Sequence, residues 1–181
     1  VARVATLVVG AGKTGLAVAR FLAARGERVV VTDEKMPGVP DLPNVRWALG
    51  GFADADFLGA DRIVLSPGVP DKPALVAARK KGVPITGEIQ LASEHIAATF
   101  IGITGTNGKS TVTALCGALC AASGRPTFTG GNLGDPLIDA VGTPAAAAGG
   151  ICVVELSSFQ LETCDTLRPK VAVLTNLSPD H

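Results

Sequence analysis

Apolar positions along the chain fall into short β-branched runs separated by stretches with helical spacing. Val4 to Val9, Arg28 to Val31 and Arg62 to Leu65 read as strands. Thr14 to Arg25 carries an apolar face at helical spacing. Pro73 to Lys81 does the same and is stopped by Gly82. The alternation then resumes, with a strand at Thr99 to Ile103, a helix at Lys109 to Ala122 ending before Gly124, and strands at Ile151 to Leu156 and Val171 to Leu174. Strands alternating with helices predict an α/β fold of parallel sheets with crossover helices. Gly87 to Ile96 reads as a helix joining two such units, which places the boundary near residue 97 and divides the chain into 1–97 and 98–181. Ala145 to Gly150 is expected to be a surface loop.

Composition narrows the function classes. The chain has 181 residues, enough for one large domain or two small ones, and 47% of them are hydrophobic, mostly aliphatic. Sixteen basic and sixteen acidic residues cancel, and no run of either sign appears. A nucleic-acid partner is therefore not expected, and any phosphate must be held by local geometry and a few charges. The four cysteines, Cys116, Cys120, Cys152 and Cys164, contain no CxxC pair, and only two histidines accompany them. That argues against a zinc site. Cys116 and Cys120, one helical turn apart, fit an apolar core stripe. The apolar run before Gly10 is too short for a secretory signal or a membrane span, and so is Ala145 to Val154. A cytoplasmic protein with no membrane partner is expected.

Four motifs carry chemistry. The first, Gly102-Ile-Thr-Gly-Thr-Asn-Gly-Lys-Ser-Thr111, lies between a strand and a helix. Glycines let backbone N–H groups close around an anion, and the helix adds its positive N-terminal end. Lys109 supplies a charge for β- and γ-phosphates, and Ser110 a hydroxyl for magnesium. Five residues separate Gly102 from Gly108, one more than in the usual phosphate loop. The second is Val153-Val-Glu-Leu-Ser-Ser-Phe-Gln-Leu161, where Glu155 ends an apolar run. A carboxylate there can bind the magnesium of a nucleotide, or simply cap the next helix. The third, Asn176-Leu-Ser-Pro-Asp-His181, puts His181 past a strand as a candidate metal or substrate ligand. The fourth is Gly10-Ala-Gly-Lys-Thr-Gly15, after the first strand, with Asp33 at the end of the second. This is the dinucleotide-binding fingerprint of a Rossmann-like fold, with a diphosphate at the helix N-terminus and an acid near the ribose. Ser66-Pro-Gly-Val69 forms another wall of that crevice.

These residues, in this order, resemble the Mur ligases. Gly105-Thr-Asn-Gly-Lys-Ser-Thr111 is similar to the ATP loop that these enzymes share with folylpolyglutamate synthases. Glu155 to Leu161, Gly131-Asn-Leu-Gly134, Asn176 to His181 and the turn with Thr14-Gly15 look like the branch that adds D-glutamate. The resemblance implies a Rossmann-like first domain that holds the UDP end of UDP-N-acetylmuramoyl-L-alanine, followed by part of a P-loop-type ATP-binding domain. Gly105, Thr106, Asn107, Gly108, Lys109, Ser110 and Thr111 would then hold ATP. Lys13 and Thr14 would meet the diphosphate, Asp33 and Glu34 would lie near uracil and ribose, and Ser66 and Gly68 would line the same pocket. Ser110, Glu155 and His181 would hold magnesium, while Asn132, Ser157, Gln160 and His181 would surround the sugar and its peptide arm. Lys109, Glu155 and His181 would serve catalysis. A monomer is implied, as is the lack of the amino-acid-binding domain, so that these 181 residues alone are expected not to ligate. Other readings stay open at this point: another Mur-type or folate-type ligase, an NAD-dependent oxidoreductase domain fused to a P-loop domain, or a catalytically silent nucleotide-binding regulator.

Overall fold

The computed structural model describes residues 4–178. The chain forms two compact units, Val1–Glu88 and Ile89–His181, dividing earlier than the boundary expected near residue 97. The reason is the short helix α4 (Glu88–Ser93), all but its first residue of which counts with the second unit. Within that unit Gln90 exchanges hydrogen bonds with Thr166, accepting from its N–H at 2.9 Å.

The first unit runs β1 (Val4–Val9), α1 (Lys13–Ala24), β2 (Val29–Asp33), β3 (Val45–Leu49), α2 (Asp54–Gly59), β4 (Ala60–Leu65), α3 (Pro73–Lys80) and β5 (Ile85–Gly87). Its five strands are parallel in the order β3-β2-β1-β4-β5. A parallel sheet is covered on both faces, which is why its central strands are continuous apolar runs. Leu7, Val9, Val30, Ile63 and Leu65 pack with Phe57 of α2 and Leu75 of α3 in one cluster. The strand order reverses direction at β1 and β4. Their C-terminal ends, Val9 and Leu65, are register partners, so the loops after them open beside each other.

The second unit continues with β6 (Thr99–Thr104), α5 (Lys109–Ala122), β7 (Thr127–Gly131), β8 (Ile151–Glu155), α6 (Ser158–Leu161) and β9 (Val171–Leu174), in parallel order β7-β8-β6-β9. One face of this sheet packs Ile103, Ile151 and Val153 against Val112, Cys116 and Cys120 of α5, so the two helix cysteines sit on the apolar stripe expected of them. Gly117 lets α5 come close to β7, since a methyl there would overlap the Thr129 side chain.

Only part of Ala145 to Gly150 is a surface loop: Ala147 to Gly149 are exposed turn, but the stretch before them is buried. Two short 3-10 turns, Leu137–Ala140 and Pro144–Ala146, are packed inward, with Leu137, Ala140, Ala145 and Ala146 all buried. Ala146 accepts a 2.9 Å hydrogen bond from Ala97, and a methyl on Gly150 would overlap the Ala145 carbonyl. Small apolar side chains gain enough from leaving water to hold such a turn inside.

Candidate functional site

The loop from β6 to α5 is built to expose backbone N–H groups. Gly105 has φ +132° and Gly108 φ +81°, conformations that side chains rarely adopt. A methyl on Gly105 would overlap the Thr175 hydroxyl and lie 2.9 Å from the Asn176 carbonyl. Gly108 caps α5 through its backbone alone, so the first-turn N–H groups of this 14-residue helix face outward with no side-chain cap among the described residues. Such an end attracts anions.

The loop is clamped from the side by the segment after β9. The Asn107 N–H donates to Asn176 Oδ1 at 2.9 Å, and Asn176 Nδ2 returns a bond to the Asn107 carbonyl at 2.9 Å. Thr106 N–H donates to the Asn176 carbonyl at 3.0 Å, and the Thr175 hydroxyl to the Asn107 carbonyl at 2.7 Å. The Ser178 N–H reaches the Thr106 hydroxyl at 3.1 Å. Residues 175–178 thus act first as a brace. Thr175 belongs to no motif; its position directly past the end of β9 is the available signal. Lys109 folds back over the loop, its ammonium donating to the Gly105 and Thr106 carbonyls at 2.7 and 2.9 Å. Ser110 and Thr111 follow it on the first turn, both exposed.

Glu155 lies at the C-terminal end of β8, in register with Ile103 of β6 and Gly131 of β7. Its side chain is only 2% exposed. One carboxylate oxygen accepts from Asn132 Nδ2 at 2.7 Å, and its carbonyl accepts the Asn132 N–H at 2.9 Å. The other oxygen is buried with no hydrogen-bond partner among the described residues. A buried carboxylate oxygen left bare is expensive. That oxygen, beside a phosphate-type loop, fits a hard divalent cation. Among the described residues no three His, Cys, Asp or Glu side chains gather as a metal cluster. Asn132 is thereby joined to Glu155 as its positioning partner.

Glu155 does not cap the helix that follows. That cap is Ser157, whose hydroxyl accepts from the Gln160 N–H at 3.3 Å, while Gln160 Oε1 accepts the Ser157 N–H at 2.9 Å. Ser157 and Gln160 are committed to each other as a capping box that fixes the chain just past Glu155. His181 lies outside the described residues.

In the first unit, Gly10 has φ +103° and a methyl on Gly15 would overlap the Gly10 carbonyl, so both glycines are required for the turn into α1. The N-terminus of α1 is capped by Gly12 without a side chain. Asp33 is a brace here: one oxygen accepts the Ala11 N–H at 2.7 Å and the other the Lys35 N–H at 2.8 Å. The crevice above these loops has a volume of about 460 Å³, within the range of small-ligand sites. Gly10, Gly12, Glu34, Ser66 and Gly68 line it, and Lys13 and Thr14 sit on the first turn of α1 beside it. Phe52, Lys35 and Lys72 also line it and belonged to no motif.

The four cysteines form no disulfide among the described residues. Burial pushes the Cys152 thiol up to about 11. Burial, reinforced by the neighbouring Cys120, also raises Cys116. Neither is a reactive thiolate. Among the described residues no helix is long and apolar enough to cross a membrane.

Comparison with known proteins matches both units. A family model described as the Mur ligase MurD-like N-terminal domain matches residues 4–87, and one described as the Mur ligase middle domain matches residues 103–181. The UDP-N-acetylmuramoylalanine–D-glutamate ligase of Anaeromyxobacter dehalogenans is 52% identical, over 96% of this chain and 39% of that protein. Its namesake in Desulfosudis oleivorans is 47% identical, over 97% and 39%. The chain thus spans about two fifths of the length of these relatives. Among solved structures, UDP-N-acetylmuramate:L-alanyl-gamma-D-glutamyl-meso-diaminopimelate ligase from Neisseria meningitides superposes with a TM-score of 0.59 at 20% identity, covering 99% of this chain and 62% of that one. UDP-N-acetylmuramate-alanine ligase from Thermotoga maritima gives 0.54 at 24%, covering 98% and 42%. At these identities the structures establish the shared fold.

Proposed function

The chain belongs to the Mur ligases, and from that premise we propose that it provides the UDP-binding and ATP-phosphate-binding parts of a ligase joining D-glutamate to UDP-N-acetylmuramoyl-L-alanine. The first unit takes the UDP end of the precursor at the loop Gly10 to Gly15, the N-terminus of α1 and the Ser66–Gly68 wall. A diphosphate there gains from the uncapped N–H groups and the helix dipole. The match of residues 4–87 to a Mur ligase N-terminal domain favours UDP over a dinucleotide.

The second unit takes ATP at Gly105 to Thr111. Lys109 must leave the Gly105 and Thr106 carbonyls, or share its third proton, to meet the phosphates; its present bonds keep the ammonium at the loop in the meantime. The reaction supported is transfer of the γ-phosphoryl group to the terminal carboxylate of the precursor, giving an acyl phosphate and ADP. The amine of D-glutamate then attacks the acyl carbon, phosphate leaves, and the amine loses a proton as the amide forms. Both steps bring anions together, so charge neutralisation and positioning dominate. Magnesium, when bound, would supply the largest share of that neutralisation. Glu155 and Ser110 are the residues that would hold it, with phosphate oxygens completing the set. Asn132 orients Glu155, the Ser157–Gln160 box fixes the chain past it, and Asn176 with Thr175 holds the phosphate loop open.

The observation that carries this reading is the buried Glu155 carboxylate, half paired with Asn132 and half bare, on the strand beside the phosphate loop. The test is calorimetric titration of the chain with ATP and magnesium against Lys109→Ala. A loss of at least tenfold in affinity is expected. Equal affinities would remove this loop from the mechanism.

A further inference from the structure

The crevice of the first unit has a mouth that no motif describes. Phe52 lines it, and its plane is fixed by Phe57, which is fully buried and meets it at 5.9 Å between centroids and 82° between planes. Lys72 lies over the Phe52 ring, with its ammonium 5.6 Å from the centroid. It is held there by Glu34, 2.6 Å away. Lysines usually extend into water, yet the Lys72 side chain is only 27% exposed, while Glu34 at 60% stays wet. An aromatic ring in a ligand crevice is thus covered by a cation that another loop keeps in place.

The polar groups nearby divide into spent and available. Both Asp33 oxygens are taken by the Ala11 and Lys35 N–H groups. The Ser66 hydroxyl, in the same crevice, is buried without a partner among the described residues. Gly10 and Gly12, at the N-terminus of α1, lie on the same crevice and suit phosphates. What remains for the other end of a nucleotide is an aromatic plane under a displaceable ammonium.

Resting on the reading of this unit as a UDP site, we infer that the Phe52 ring is the stacking platform for the nucleobase, and that Lys72, seated on it by Glu34, is the side chain the base displaces. A ring face accepts either a cation or a base, so base–aromatic stacking competes with the cation–π contact. The Glu34–Lys72 pair therefore covers the apolar surface in the absence of ligand and lowers affinity for any ligand that must move it. Inorganic pyrophosphate has no base and does not compete with Lys72.

The test is titration of the chain with UDP and, separately, with inorganic pyrophosphate, for the wild type, Phe52→Leu, Phe52→Tyr and Lys72→Met. Phe52→Leu is expected to weaken UDP about tenfold and to leave pyrophosphate unchanged. It should also abolish saturation transfer from the protein's aromatic protons to uracil H5 and H6. Phe52→Tyr keeps the ring and should bind UDP within about twofold of the wild type, which separates loss of stacking from loss of fold. Lys72→Met is expected to bind UDP about threefold to tenfold more tightly with pyrophosphate unchanged. UDP binding that ignores both positions would overturn the platform while leaving the UDP site standing. Lys72→Met weakening UDP and pyrophosphate equally would make Lys72 a phosphate ligand and overturn the displacement. No UDP binding by the wild type would overturn the site and this inference together.

Discussion

Asn132→Ala is the substitution through which the Glu155 site can be measured without any catalysis. Asn132 Nδ2 is the one side-chain donor, among the described residues, to a carboxylate that is 2% exposed, at 2.7 Å, and the second oxygen is already bare. A hydrogen bond to a charged group contributes about 1.5–3 kcal/mol. Stripping the last partner from a buried charge costs about 3–5 kcal/mol. Solvent cannot replace the lost donor without opening the sheet edge, because Glu155 sits between its neighbours Ile103 and Gly131. The second unit is therefore expected to lose about 3 kcal/mol, a large share of a domain stability of about 5–15 kcal/mol. Urea unfolding followed by far-ultraviolet circular dichroism reads the loss, and hydrogen exchange at the Cys152 to Val154 amides assigns it to β8. Adding Glu155→Gln to Asn132→Ala should recover at least half, since the charge is then gone. A change within about 0.5 kcal/mol for Asn132→Ala, or no recovery in the double variant, would refute a buried, partner-dependent carboxylate.

Three further outcomes follow from the same geometry. Gly105→Ala places a methyl on the Thr175 hydroxyl at φ +132° and should cost about 1–3 kcal/mol and at least tenfold in ATP affinity by calorimetry, whereas Gly124→Ala, with open space around it and φ +80°, should leave ATP affinity unchanged. Gly15→Ala forces a methyl onto the Gly10 carbonyl and should lower the urea midpoint of the first unit, read from Trp47 fluorescence, along with UDP binding. Burial raises Cys152 from 9.0 to about 11, so the folded chain holds this thiol neutral. Its contribution is complete below pH 9 and lost as pH rises through 11, a fall of roughly 2–3 kcal/mol that Cys152→Ala should flatten in urea titrations across that window.

Much of the architecture was legible because parallel strands are continuous apolar runs. Val4–Val9 and Val171–Leu174 match their expected bounds, and α5 runs from Lys109 to Ala122 as its spacing predicts. What escaped was short, edge-placed or glycine-rich. β3 (Val45–Leu49) is only half-buried and interrupted by Arg46, β5 has three residues, and β7 ends in Gly130-Gly131. A methyl at Gly130 would overlap the Asp135 carbonyl, so these glycines mark close backbone approach rather than a break in the strand. Motif reading could point to the glycine loops and to Glu155 as candidates, because glycine and a strand-end carboxylate are local signals. It could not find that Asp33 braces the turn, that Asn132 holds Glu155, or that Thr175 clamps the phosphate loop. Each is a pairing across about 20 to 70 residues that only the folded sheet brings together.

The most direct measurement is calorimetric titration of the chain with UDP-N-acetylmuramoyl-L-alanine, with NADH as the control. Binding of the UDP precursor, lost in Gly15→Ala, with no heat from NADH, is the expected result. Binding of NADH in place of the precursor would contradict the assignment of the first unit to a cell-wall precursor and turn it into a dinucleotide site.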